Sequence, residues 1–488
     1  MYDYVRSTIM SGCERGASER LVRTVACAVV SVVLLCGCQR PDVHEYEPTL
    51  RARIAEPAAV VRAEPVAQQG VQERDWPEEP IGLAEAVEIA FANSPRLRAA
   101  AKSIRIAEED IRIAGSAFWP QVSAAGNYNV LKNDINLGGG PVLENQFWQA
   151  ELDLQWMLWD FGRSLGRYRQ AEAGAEIARV SFRRFEQGLI YEVAEGYYGI
   201  LRAQKAKTIA LDGLRAAGLQ LRTAKQLYAQ DQVTRDDVLR AEVQVARYEQ
   251  SVIRAGNAIK LALSGLNRSM GINVNWPTEV VDRTEEPEFG ETLTWALEQA
   301  ISHRPEFEQV QLGIALEQAG VRVAEAEYMP KLFVSSSLVH IEDRGQLSED
   351  SALASLGIQV DLFAGGRRRA QVAQAEHKVS QSLDKARQVC DAISFEVKQA
   401  YLGIKDAEAR LPVAEKALSA ARENARLVQE KYASSLATAT DVADAEAALT
   451  DSQEDYYRTL YDLMSAVERL YFAMGTNDAV HNVAYGGA

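Results

Sequence analysis

Residues Tyr228–Glu242 read YAQDQVTRDDVLRAE, and Tyr432–Glu446 read YASSLATATDVADAE. Tyr, Ala, Thr, Asp, Val, Ala and Glu recur at the same places with a shift of 204 positions. Long helical patterns flank both copies, so each copy is predicted to be the tip of a helical hairpin. The repetition spreads outward from these tips. Leu83, Ala86, Val87, Ala90 and Phe91 match Leu293, Ala296, Leu297, Ala300 and Ile301 at a shift of 210, and Pro95 and Pro120 fall on Pro305 and Pro330. Further on the shift is 204. Leu152, Leu154, Trp156 and Leu158 match Leu356, Ile358, Val360 and Leu362, and Met270-Gly271 matches Met474-Gly475. The difference must be absorbed between about 130 and 147, in a loop. Two copies of one supersecondary unit are expected: residues 81–271 and 292–476, joined by a 272–291 linker.

Within each unit the hydrophobic period changes. Helical spacing runs through Leu97, Ile104, Ile111 and Ala114 until Trp119-Pro120. Val122, Ala124, Tyr128 and Val130 then alternate with polar residues. After the polar, glycine-rich stretch 131–146, Trp148, Ala150, Leu152, Leu154, Trp156 and Leu158 alternate with Gln149, Glu151, Asp153 and Gln155. Leu332, Val334, Leu338, Leu356, Ile358, Val360 and Leu362 repeat the pattern around a loop expected at 341–353. About ten alternating residues fit one strand of an outer-membrane barrel, and a half-buried soluble hairpin alternates too. Tryptophans 148, 156 and 159 beside the apolar face favour the membrane. Leu152, Leu154, Trp156, Leu158, Leu356, Ile358, Val360 and Leu362 are therefore expected to face lipid. No proline occurs between 142 and 276, and the Ala-, Leu-, Arg- and Glu-rich run from about 165 to 228 predicts a rod of roughly 95 Å. The return helix should run from about 234 to 270, and Pro412 predicts a kink in the second unit.

The start of the chain points to export. Arg15, Arg20 and Arg23 precede an apolar run, Val25–Leu35, too short to span a bilayer, which ends in Leu35-Cys36-Gly37-Cys38. Residues 1–37 read as a cleaved signal. The junction resembles a bacterial lipobox, which implies acylation of Cys38; an ordinary signal peptide is the alternative. Residues 38–80, with six of the fourteen prolines, read as an extended tether, and 477–488 as a tail. Four of five cysteines lie in the first 38 residues, so Cys390 has no partner for an internal disulfide. The formal net charge of −15 argues against nucleic acid as a partner. Histidines 44, 303, 340, 377 and 481 lack metal-ligand spacing, and no Walker loop or GxSxG occurs. No enzyme, cofactor or metal is expected.

Four strands cannot close in hydrocarbon without leaving backbone groups unpaired, so other copies must complete them; three copies give twelve strands. The fold expected is α+β: a duplicated helix–strand–strand–helix unit, four strands per chain in a trimeric twelve-stranded β-barrel, continued by a long α-helical coiled-coil barrel. The duplicated unit, the turns Trp159–Arg163 and Phe363–Arg367, and the two tips together resemble the TolC-like outer-membrane efflux proteins, across about 80 to 476. With a lipidated start the chain is most similar to the lipoprotein branch of drug-efflux ducts. The resemblance implies a homotrimer in the outer membrane, working with a periplasmic adaptor and an inner-membrane pump. It also implies a passive duct opened by iris-like movement of the tips. A protein-secretion (type I) duct and a periplasmic coiled-coil lipoprotein are the alternatives.

By the same resemblance Asp441, Asp444 and Tyr432 constrict the periplasmic mouth, with Asp237 matching Asp441 in the first unit. Positions 441 and 444 share a helix face, while Arg240 stands where the second aspartate would be. The competing role for Asp441 is to cap the returning helix. Adaptor contacts are expected at Gln230, Asp231, Gln232 and Thr234, and at Ser434, Ser435, Leu436 and Thr438. Many relatives carry glycine at these tips, and this chain does not.

Overall fold

The computed structural model describes residues 79–132, 144–282, 287, 289–343, 346–434 and 436–477. The expected signal 1–37, Cys38, the tether up to residue 78, Ser435 and the tail beyond Asn477 lie outside them. Two successive units have the same order. The first comprises α1 (Leu83–Asn93), α2 (Pro95–Gly115), β1 (Gln121–Lys132), β2 (Glu144–Trp159), α3 (Arg163–Tyr228) and α4 (Arg235–Met270). The second comprises α5 (Leu293–His303), α6 (Pro305–Ala326), β3 (Lys331–Asp343), β4 (Gln346–Gln359), α7 (Arg367–Ala433) and α8 (Ala439–Met474). Helix α3 has 66 residues and α7 has 67, so each extends ~100 Å. Helix α7 continues unbroken through Pro412.

The same local devices end the elements in both units. Pro95 and Pro305 each open a helix at its first position, where the missing N–H would be unpaired anyway. Gly271 (φ 76°) and Gly475 (φ 75°) close α4 and α8 in the left-handed region. A Cβ on Gly271 would lie 2.6 Å from the Asn93 carbonyl oxygen, and one on Gly475 would lie 3.0 Å from that of His303. Each hairpin thus returns against the α1–α2 or α5–α6 turn, and only glycine fits. The strand-to-helix reversals need two consecutive left-handed residues: Phe161-Gly162 in one unit, Gly365-Gly366 in the other. In the first, Asp160 accepts from the Ser164 amide at 2.8 Å and the Gly162 amide at 3.2 Å.

Around this returning end lies the main apolar core. Val193, Ile200, Leu201, Leu266, Met270, Val397, Ile404, Leu470 and Met474 are buried together with Ala86, Ala90, Ala296 and Ala300. Alanine on α1 and α5 lets the long helices approach closely. The linker takes part as well: Ile81 and Val280 form a parallel bridge beside this core.

At the end of the long helices opposite the tips, the strands form one antiparallel sheet in the order β1-β2-β3-β4. Its register brings most apolar positions of the four strands onto one face. Val122 opposes Leu154, and Ala124 opposes Leu152. Leu152 opposes Leu338, Trp156 opposes Val334, and Val334 opposes Leu356. The other face is mostly polar, with Phe333, Val339, Ile341 and Leu353 among the exceptions; Ser335 and Ser355 hydroxyls are 2.7 Å apart, and Ser337 donates to Glu151 at 3.3 Å. A one-residue slip would exchange the faces, so this alignment is strongly specified.

Three expectations about the strands are corrected. Residues 341–353 are not a loop, because β3 reaches Asp343 and β4 begins at Gln346. Ladder pairs such as Val339–Ser351 hold that backbone while its side chains are largely polar, which leaves no period to read. Leu158 does not continue the face of Leu152, Leu154 and Trp156. The register shifts between Met157 and Trp159, so Trp159 opposes Leu332 and Leu158 is the extra residue of a bulge. Val360 and Leu362 lie beyond the end of β4. Gln359 pairs with Lys331, and the next residue on the partner strand is Pro330, which has no N–H for the ladder. Both side chains are nonetheless exposed, Leu362 at 89 %.

The register yields a test of the face assignment. Leu154→Arg on the apolar face should cost about 2–4 kcal/mol if that position sits at mid-membrane, and Asp153→Arg on the opposite face much less. Reversible assembly into lipid vesicles measures both; equal losses would mean that neither face meets hydrocarbon.

Candidate functional site

The two tips are built alike. After Tyr228, the Gln232 amide donates back to the Leu227 carbonyl at 2.9 Å, and the matching Leu436 amide donates to Lys431 at 2.8 Å. Asp231 takes the left-handed conformation (φ 55°) that normally favours glycine. The returning helices start on threonine caps. Asp237 accepts from the Thr234 amide at 3.0 Å and hydroxyl at 2.9 Å. Asp441 accepts from the Thr438 amide at 2.8 Å and hydroxyl at 2.7 Å. These are capping boxes with aspartate in the usual glutamate position. The Thr438 hydroxyl and amide hold the Asp441 carboxyl below the ordinary carboxylate range, so it stays charged in mild acid.

Tyr432 lies between the tips. It is buried with Ala439 and Val442, and Leu227 of the first hairpin packs against this cluster. Burial first, and then the nearby Asp237 carboxylate, raise its phenol pKa. Its hydroxyl has no hydrogen-bond partner among the described residues. Asp444 is exposed one turn beyond Asp441. Arg240 is not an unpaired cation, since its Nε contacts Asp236 at 2.8 Å on its own helix. Gln230, Asp231, Gln232, Thr234, Ser434, Leu436 and Thr438 are all at the tip surface or its edge, with Leu436 strongly exposed.

The structure thus brings Asp237 and Tyr432, one from each hairpin, into electrostatic contact and gives Asp441 a capping role in addition to its exposed position. Two features escaped the sequence reading. Above the first tip, Lys225 and Glu242 form an ion pair at 3.1 Å. At the matching positions Gln429 donates to Glu446, which is 7 % exposed. A buried carboxyl here has an amide where its counterpart has a cation, and burial raises its pKa. The difference was visible by aligning 225 with 429.

The second is a charge cluster at the other end of the hairpins. Arg304, between α5 and α6, contacts Glu306 and Glu396 at 2.7 Å each and donates to the Ala473 carbonyl at 2.8 Å. Arg184 of α3 reaches Glu306 at 2.8 Å and lies 3.7 Å from the centre of the Phe472 ring. Burial and Arg304 push the Arg184 pKa down to about 10. Removing one member would strand a desolvated charge, so the cluster pins α3, α6, α7 and α8 together. Its members come from four elements, and no local spacing announces them. Among the described residues no helix is long and apolar enough to cross a membrane, and no cluster of potential metal ligands occurs.

Comparison with known proteins places this geometry. A family model described as "Outer membrane efflux protein" matches residues 86–272 and 296–476. Protein CyaE of Bordetella pertussis is 27 % identical over 67 % of this chain and 70 % of its own length. The alkaline protease secretion protein AprF of Pseudomonas aeruginosa is 23 % identical over 82 % of this chain and 85 % of its own length. The crystal structure of the Campylobacter jejuni CmeC outer membrane channel superposes with a TM-score of 0.70 at 14 % identity, covering 85 % of this chain and 94 % of that one.

Glu446 carries a pH prediction. A carboxyl with a raised folded-state pKa binds its proton more tightly when folded, so its destabilising effect is absent below the ordinary value of 4.5 and grows as pH rises through the folded value. Glu446→Gln should remove that part of the pH dependence and raise the thermal midpoint at neutral pH. An identical pH profile in the variant would show that Glu446 does not titrate differently on folding.

Proposed function

The chain belongs to the outer membrane efflux protein family, and from that premise we propose that it is the outer-membrane component of a tripartite efflux system, gated at its helical tips. It is an outer-membrane export duct, and the family is one of passive channels. Members of the family are trimeric ducts that work with adaptor and pump partners. The observation that carries the reading is the sheet, mostly apolar on one face and mostly polar on the other, set at the end of helices ~100 Å long. Three copies would supply twelve strands and enclose the polar face as a lumen. The paired long helices would continue that lumen toward the inner membrane, and energy would come from the pump.

In this reading the tips close the inner end. Three copies of Asp441 and Asp444 form a ring of six carboxylates, kept ionised in part by the Thr438 caps. Tyr432 and Asp237 hold neighbouring hairpins together. An adaptor docking at Gln230–Gln232 and Ser434–Leu436 favours an arrangement with the hairpins moved apart, and shifts the population toward it. A protein-secretion duct is a second reading, favoured by the secretion function in the name of AprF. Acylation of Cys38 would add a lipid anchor; loss of fatty-acid labelling in Cys38→Ser tests it, and undiminished labelling would reject it.

Single-channel recording in planar bilayers tests the gate. The wild type should conduct poorly, and divalent cations added at the tip side should block it further. In Asp441→Asn/Asp444→Asn the amide oxygen at 441 still accepts from Thr438, so the cap is retained while the charge is lost. That variant should lose the divalent block. An unchanged block would place the constriction elsewhere.

A further inference from the structure

Between the apolar core near Gly271 and Gly475 and the tips, the two hairpins of one chain run side by side with polar contacts between them. Arg202 on α3 pairs with Asp462 on α8 at 3.1 Å. Near the tip, the Gln220 amide donates to the Ala439 carbonyl at 3.3 Å. Between these two points, a contact of another kind reaches from α4 to α8. Tyr248 is buried, and its hydroxyl lies 3.0 Å from the Thr450 hydroxyl oxygen. Thr450 donates its own proton to the Glu446 carbonyl at 2.9 Å, which leaves the phenol as the donor. The result is a directed chain from Tyr248 through Thr450 to the backbone of α8.

The ring is held in a notch on α3. A Cβ on Gly213 would collide with the Tyr248 ring, so the absence of a side chain there is what lets the phenol reach across. The duplication shows that a hairpin does not need this arrangement to fold. At the shift of 204, Gly213 becomes Ala417, Tyr248 becomes Ser452, and Thr450 corresponds to Ala246. Ser452 donates to Ala448 within its own helix, at 2.7 Å. All three parts of the contact are therefore present once per chain, where they join the first hairpin to the second.

We propose that Tyr248, seated over Gly213, is a positioning residue that latches the first hairpin to the second, and that its bond to Thr450 must break before the tips move apart. The proposal rests on the tips being the gate. Deformation between a pinned upper end and a separating tip is concentrated where the hairpins are joined by polar contacts, and Tyr248 sits in that span. When the contact opens the Thr450–Glu446 bond stays within α8, and water must satisfy two atoms, the Tyr248 and Thr450 hydroxyl oxygens. A neutral hydrogen bond of this kind shifts a two-state balance by roughly 2- to 12-fold.

The test uses the assembled full-length duct with Tyr248→Phe, Thr450→Val and the double variant, all close to isosteric. Bilayer conductance and hydrogen exchange of the tip segments 227–242 and 431–446 are measured together. Both should rise in each single variant, with the open fraction raised roughly 2- to 12-fold. The double variant should go no further than either single one, since the same inter-hairpin bond is lost in all three and the Thr450–Glu446 bond lies within α8. Tip exchange and conductance both unchanged would overturn the latch and leave the gate to be judged by the aspartate variants. Additive effects in the double variant would also overturn it. Faster tip exchange at constant conductance would overturn the latch as a gating element and the tips as the gate as well.

Discussion

A strand in hydrocarbon must pair every backbone N–H and C=O, because each one left unpaired costs several kcal/mol. Within this chain the sheet has two outer edges, on β1 and β4, and the described residues pair neither of them. With most of its apolar side chains on one face, the sheet is suited to lipid on that side and water on the other, yet incomplete by itself. Closure by further copies would resolve both problems at once, and a closed ring of strands would fix the spacing of the helices that descend from it.

Duplication is the economical way to build such an object. One unit supplies a hairpin of strands and a hairpin of helices, and the same glycines turn the chain in both copies. Gly271 and Gly475 are required by conformation and by close approach together, so neither copy tolerates a side chain there. On the helical hairpins the copies differ in charge and contact. Lys225 against Gln429, Arg240 against Asp444 and Tyr248 against Ser452 all lie on the hairpins below the core. A symmetric unit has in this way acquired two hairpins with distinct electrostatics and a Tyr248–Thr450 bond between them.

Most of the architecture was legible because it is periodic. The 3.6-residue pattern placed the long helices within about two residues of their ends, and the alternation around Leu152 and Leu154 located β2. Legibility stopped where side chains no longer reported the backbone. The outer half of β4 is held by ladder hydrogen bonds and is mostly polar, so it read as a loop. The bulge at Leu158 inserts one residue without changing composition. At the site, the threonine–aspartate caps could be read from spacing alone, whereas the Arg184–Arg304–Glu306–Glu396 cluster joins residues far apart in the chain and follows only from the packing of four elements.

The central claim is that one chain carries a third of a closed barrel. The stoichiometry of the complex, extracted from outer membranes in mild detergent and weighed intact by native mass spectrometry, tests it most directly. Three chains per particle, dissociating only on heating, are what the account predicts. A monomer that retains its strands and stays in the membrane would contradict it, because β1 and β4 would then have to be satisfied in some other way.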